Sequence, residues 1–423
     1  MKLAIRGGDP IRRRPWPRWP VVTEGTKRLL GEVLDGTSWA ISGQSLAPPR
    51  FDPELRRQWA DYVGVRYALP CASGTAALTI ALEALDLGPG DEVIVPGMTW
   101  VACPKAVYNL GATPLLVDID PDTLCMSPAA VRAAITPRTR AIMVVHAYCS
   151  LADLDAFLAL SEETGIPIIE DGSQAHGAMW RDRRVGSFGL ISAFSTQQSK
   201  LLTSGEGGLC CTDDEALYIK LQQLRTDGQV YNNTFNPDNW MWIHTVEGKP
   251  GRNFNLSEFN AALLLDGLSR LEAENEVRRA NLASLERFLE EVEGVKVIPC
   301  LKQVTKRVAW RLVLRINREA FGGLDVATIG QAVTAELGLP VEPIDVPFTH
   351  SPLYQPLKVA RIARRPDAEQ FDPARFELPN ALEQQKMCLA APHFCLLGDG
   401  SDMKDMVAAF AKVSKQRDEL PPR

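Results

Sequence analysis

Between residues 54 and 210 the chain alternates two patterns. Short runs rich in branched apolar residues, "RYALP", "DEVIVP", "ATPLLVDID", "RAIMVVHAY", "IPIIED" and "ISAFS", read as strands, most of them apolar at odd and even positions alike. Strands of a parallel sheet covered by helices on both sides look this way. Between them, "GTAALTIALEAL" (74–85), "SPAAVRAAI" (127–135) and "LADLDAFLALSEETG" (151–165) repeat apolar residues at helical spacing, and Gly165 closes the last as a C-cap would. The pattern predicts an α/β domain built on a mainly parallel sheet. A long charged amphipathic stretch follows at 268–292 and reads as a linker helix. Beyond it, "VKVIPC" and "VAWRLVLRI" read as strands, "DVATIGQAVTAELG" and "DMKDMVAAFAKVSKQ" as helices, giving a smaller α+β domain. Residues 228–252 follow neither period and read as a long functional or mobile loop. The expected organisation is an N-terminal arm over 1–50, a large domain over 51–267, and a linker helix with a small C-terminal domain over 268–423.

Composition narrows the function classes. A chain of 423 residues, 45% hydrophobic, can bury the cores of two or three ordinary domains. No run approaches about 18 to 20 apolar residues, and the basic N-terminus lacks the apolar core of a secretory signal, so the protein is expected in the cytoplasm, away from membranes. Nine cysteines without a CxxC spacing point away from a disulfide framework and from a structural metal site; Cys210 and Cys211 read as buried small hydrophobes on opposite faces of a strand. A net charge of −6 gives no footprint for nucleic acid. "RRRPWPRWP" reads as part of a packed arm that could lie on a partner subunit.

In an open α/β sheet, ligands gather beyond the carboxyl ends of the strands, so the residues there are the candidates. "RYALP" leads into Ser73-Gly74-Thr75 at a helix start, which is either an ordinary hydroxyl cap or an anion cradle of free N–H groups suited to a phosphate ester. Neither a nucleotide P-loop nor a GxGxxG turn is present. "IPIIE" leads into Asp171, either a structural cap or ion pair or a carboxylate awaiting a cationic ligand. Beyond "ISAFS" lies Lys200, with no other charged residue within five positions on either side. It reads either as a surface lysine or as an amine whose partial burial lowers its pKa enough for attack on a carbonyl. Together the three strand ends suit one ligand, pyridoxal phosphate: a phosphate for the cradle, a ring nitrogen for the carboxylate, an aldehyde for the lysine. Trp100, beyond "VPGMT", would stack on its ring, although alone it reads as a core aromatic.

Four stretches, "GTAAL", "EDGSQAHGA", "AFSTQQSKLLTSGEGG" and "GRNFNLSEFNAALLL", stand in the order and at about the spacing found in the DegT/StrS-type aminotransferases of sugar and antibiotic biosynthesis, which the chain resembles over nearly its whole length. "WPRWP", "SWAISG" and "LSEFNAALLLDGL" look like the branch of glutamine:scyllo-inosose aminotransferases, which make aminocyclitols. The resemblance implies the type I aminotransferase fold and a homodimer with shared active sites. It implies that Lys200 carries pyridoxal phosphate covalently, Asp171 pairs with the ring nitrogen, Gln174 sits by the ring and Trp100 stacks. Gly74, Thr75 and Ser195 would hold the phosphate, and Asn253 would reach it from the other subunit. The activity implied is transfer of an amino group from an amino acid, glutamine foremost, to a keto-cyclitol or keto-sugar of an aminoglycoside-like pathway. Two departures from the family pattern, Asn255 after Phe254 and "HAYCSLADLD" before a helix, fall in substrate-contacting loops. They keep open a sugar-nucleotide aminotransferase and a dehydratase or lyase like the enzymes making 3-amino-5-hydroxybenzoate. A non-catalytic, cofactor-binding role is opposed by the retention of Lys200. His146 and His176 read as either substrate contacts or structural histidines.

Overall fold

In the computed structural model, which describes residues 2–420, seven strands form the central sheet. They are β1 (Tyr67–Cys71), β2 (Glu92–Pro96), β3 (Thr113–Val117), β4 (Thr139–Val145), β5 (Ile168–Asp171), β6 (Ile191–Ser195) and β7 (Gly208–Thr212), in the order β1-β7-β6-β5-β4-β2-β3. From β3 through β6 the neighbours are parallel, while β7 runs antiparallel to both β6 and β1. Six of these strands carry the apolar runs read from the sequence. Burial of both faces explains those runs: in β4, Ala141, Met143 and Val145 enter one apolar cluster while Ile142 and Val144 enter another. Cys210 and Cys211 divide between the two sides of β7 in the same way. The antiparallel direction of β7 leaves β1 and the parallel strands ending at one common edge.

Helices cover both faces: α1 (Glu24–Asp35), α2 (Phe51–Val63), α3 (Gly74–Ala84), α4 (Ala102–Asn109), α5 (Pro128–Ala134), α6 (Leu154–Thr164) and α7 (Glu215–Arg225). Ser73, Ser127 and Asp153 cap α3, α5 and α6 with side-chain oxygens, and Gly165, at φ +70°, closes α6 in the left-handed conformation that glycine adopts at least cost. Helix α8 begins at Glu258, well before the amphipathic stretch at 268–292, and runs unbroken to Leu289. Its first residue explains the early start. The Glu258 carboxylate accepts the N–H groups of Arg50, Phe51 and Asp52 at 2.7–2.8 Å, so it is tied to the positive end of α2.

The C-terminal part carries a four-stranded antiparallel sheet with α9 (Val326–Leu337) and the helix Gly400–Lys415 packed beside it, the smaller α+β layer expected there. One expectation needs correction. Residues 228–252 are not an irregular loop: Gln229–Asn236 and Met241–Thr245 pair as an antiparallel hairpin. Its positions are mostly half-buried, with Val230 and Ile243 buried and residues 232–234 exposed, so no clean alternation of apolar and polar positions marks it. The N-terminal arm is packed along the C-terminal part of the chain. Leu3 is buried in the C-terminal core, Arg12 pairs with Asp402 at 2.5 Å and Asp405 at 2.9 Å, and the Trp16 indole donates to the Leu337 carbonyl at 2.8 Å. Among the described residues, no helix is long and apolar enough to cross a membrane.

Candidate active site

A cavity of about 740 Å³ opens at the common strand edge. Seven of the eight residues singled out from the sequence line it: Gly74, Thr75, Trp100, Asp171, Gln174, Ser195 and Lys200. Asn253 does not. It is exposed elsewhere on the chain, and its side-chain oxygen accepts both the backbone N–H and the side-chain amide of Asn255.

The anion cradle is built by the start of α3. The Ser73 hydroxyl accepts the Ala76 N–H at 3.0 Å, and the first N–H groups of the helix, those of Gly74 and Thr75, have no intrahelical acceptor. Gly74 has to be glycine, since a Cβ there would fall 2.5 Å from the Cβ of Ser195. Ser195 is thereby brought against the helix start from the end of β6.

Asp171 ends β5 at 5% exposure. One carboxylate oxygen accepts the Ser173 N–H at 2.9 Å and the other accepts the Cys103 thiol at 3.3 Å. Burial, with Asp171 adding to it, pushes that thiol well above its ordinary pKa, so it stays a donor. The Gln174 side-chain oxygen is fixed by the Tyr148 N–H at 2.6 Å. Trp100, 55% exposed, stands at the cavity mouth instead of in the core.

The polar stretch around Lys200 is a closed loop. Thr196 donates to Gly207 and Gln198 to Gly205, both at 2.8 Å, and Gly205 and Gly207, with φ of +85° and +157°, supply conformations that other residues rarely adopt. The hydroxyls and amides of this stretch hold the turn without bringing a competing charge to the lysine. Lys200 is 8% exposed, and its Nζ lies 3.8 Å from the centre of the Trp310 ring. Burial drives its pKa down to about 8 against the opposing pull of Asp171 and Asp345. An anion cradle, a buried carboxylate and an amine that deprotonates near neutrality face one cavity, and this donor set fits pyridoxal phosphate.

Neither sequence-predicted histidine lines the cavity. His146 Nδ1 accepts the Ala152 N–H at 3.2 Å, leaving Nε2–H to donate to Glu170 at 3.2 Å. His176 is packed among Trp59 and Phe194, and burial lowers its pKa to about 3. Both are structural. The sequence reading missed the opposite wall, formed by Trp19 from the arm and by Trp310, Arg311, Asp345 and His393 from the C-terminal part. Asp345 carried the signal that found Asp171, a carboxylate soon after a short apolar run. Tyr148, held at φ +57°, joins the two walls: its hydroxyl donates to Asp345 at 2.8 Å and its ring stacks on Trp310.

The DegT/DnrJ/EryC1/StrS aminotransferase family matches residues 27–386. The L-glutamine:2-deoxy-scyllo-inosose aminotransferase of Streptoalloteichus tenebrarius is 43% identical over 99% of both chains. The L-glutamine:scyllo-inosose aminotransferase of Streptomyces griseus is 41% identical over 97% of both. Among solved structures, 3-amino-5-hydroxybenzoic acid synthase superposes with a TM-score of 0.80 at 28% identity, covering 96% of this chain and 100% of that one. The fold is thus the aminotransferase fold that the sequence motifs implied, and the chain is a transaminase belonging to the DegT/DnrJ/EryC1/StrS aminotransferase family.

Proposed function

We propose that this transaminase uses pyridoxal phosphate to move the amino group of L-glutamine to a keto-cyclitol of the inosose type, in an aminoglycoside-like pathway. The observation that carries the reading is the placement of Lys200, Asp171 and the Gly74–Thr75 cradle around one cavity. The choice of substrates rests on the full-length likeness to two inosose aminotransferases. Pyridoxal phosphate, when bound, supplies an electron sink and stores the amino group between two half-reactions. The chain's own residues do the rest. The N–H groups of Gly74 and Thr75 and the Ser195 hydroxyl would receive the phosphate, and Trp100 would cover the ring. Gln174, oriented by Tyr148, would sit beside the ring, and the Asp171 carboxylate would keep a proton on the ring nitrogen. Lys200 would be the covalent anchor, and its Nζ, when free, would take the proton from the donor's α-carbon and deliver it to the cofactor's carbon instead of back to the donor.

The test is the absorbance spectrum of the purified protein with glutamine and no ketone. The visible band should give way to the near-ultraviolet band of the aminated cofactor, and 2-deoxy-scyllo-inosose or scyllo-inosose should restore it. A band that ignores glutamine, glutamate and alanine alike overturns the proposal in favour of a dehydratase.

The working unit we propose is a homodimer in which Asn253 completes the phosphate site of the partner. In support, Asn253 is exposed and lies outside its own cavity, next to the hairpin that ends at Thr245. Lys200→Ala and Asn253→Ala subunits, each impaired alone, should on random mixing recover about a quarter of the wild-type rate, because half the dimers then hold one intact site of two. Heterodimers isolated through two different tags that remain inactive would rule out the shared site.

A further inference from the structure

The wall facing Lys200 holds a group that the transamination chemistry leaves unused. His393 begins the short turn after strand Cys388–Pro392, is 2% exposed, and lines the cavity. Neither of its ring nitrogens has a hydrogen-bond partner among the described residues. The Ser199 carbonyl, which accepts the Trp310 indole at 2.7 Å, lies near the ring and favours its protonated form without meeting hydrogen-bond geometry. Burial, with Arg278 and Lys200 close by, holds the imidazole neutral. A neutral imidazole has one donor and one acceptor, and leaving them unmet in a buried place costs the full desolvation of each group. Such a group in a ligand cavity is completed by the ligand.

The aromatic surroundings narrow the ligand class. Trp19 meets the His393 ring edge-on at 4.6 Å, and its own indole N–H is fixed on the Gln198 carbonyl at 2.8 Å; Phe394 flanks the other side. An anionic carboxylate calls for a cation, and Arg311 lines the same cavity. A hydroxyl both donates and accepts, as a neutral imidazole does, and the C–H face of a saturated ring suits an aromatic wall. We infer that His393, with Trp19, positions the keto-cyclitol acceptor by binding a ring hydroxyl, and so discriminates the second substrate and not the first. The inference rests on the keto-cyclitol reading. Glutamine's carboxamide also donates and accepts, but it lacks the broad apolar face that Trp19 would cover.

The two halves of the reaction can be timed separately by rapid mixing, with His393→Phe and His393→Gln beside the wild type. For His393→Phe the ketone half-reaction should lose about thirtyfold in kcat/KM, chiefly through KM, while the glutamine half-reaction moves less than about threefold; His393→Gln, which retains a donor and an acceptor, should fall between. In calorimetry, myo-inositol, which has no carbonyl to react, should bind the wild type and lose about tenfold in affinity for His393→Phe. Equal losses in both halves, or a larger loss with glutamine, overturn the inference and leave the transaminase intact. So does an active wild type whose variants match it in both assays. A wild type that accepts glutamine but no inosose overturns the acceptor reading and the inference with it.

Discussion

Replacing Lys200 by alanine is expected to lower turnover about 10⁴-fold or more, the scale of removing a nucleophile that is also the general base. Borohydride reduction of the wild type should fix the cofactor on a peptide containing Lys200, and the variant should carry no such mass. Lys200→Arg should be as inactive, since a guanidinium stays charged at any working pH. The loss can be separated from misfolding. Inside the fold the lysine's pKa of about 8 lies below its ordinary 10.5, so between these values the unfolded chain binds the proton that the folded chain has shed. Cofactor-free wild type should therefore gain stability as pH rises from about 8 to about 10.5, and folded Lys200→Ala should lack that gain. A variant that keeps more than about a hundredth of the wild-type rate, or still fixes cofactor on reduction, removes Lys200 from this role.

The half of the site that was legible in the sequence is the half carried by parallel strands. Asp171 and Gly74 end or follow apolar runs whose burial on both faces leaves few alternatives, so a carboxylate or a glycine at such an end stands out against its neighbours; Ser195 came from the resemblance to the family alone. The other half was hidden because it depends on long-range packing. Trp19 reaches the cavity only because the arm is anchored by Arg12 on Asp402 and because its indole docks on Gln198. His393 looks like any residue after a buried strand. Its unmet nitrogens are a property of the packed chain, invisible in "AAPHFC". The Gln229–Thr245 hairpin was missed for a different reason: its positions are mostly half-buried, and they leave no alternation to read. Sequence pattern reports burial, and it is silent where function sits on exposed or convergent segments.

Asp171→Asn preserves the shape of the site and removes its charge, and kcat is expected to fall about a thousandfold with a much smaller change in KM. The amide oxygen can still accept the Ser173 N–H, so the strand end should hold its position; what is lost is the anion proposed to keep a proton on the ring nitrogen. The cofactor should remain anchored through Lys200, which distinguishes this variant from Lys200→Ala. The slow step should become removal of the donor's α-proton, so α-deuterated glutamine should show a larger isotope effect than with the wild type. A second readout needs no cofactor. The Asp171 carboxylate favours the charged form of Lys200 and partly offsets the effect of burial, so neutralising it should move the lysine's titration below its wild-type midpoint of about 8 in the cofactor-free protein. An amine-selective label read at the Lys200 peptide across pH would report that shift. If kcat falls less than about tenfold while the lysine midpoint drops as expected, Asp171 tunes Lys200 and does not serve the ring nitrogen; if kcat collapses and the midpoint stays fixed, the carboxylate acts on the cofactor alone.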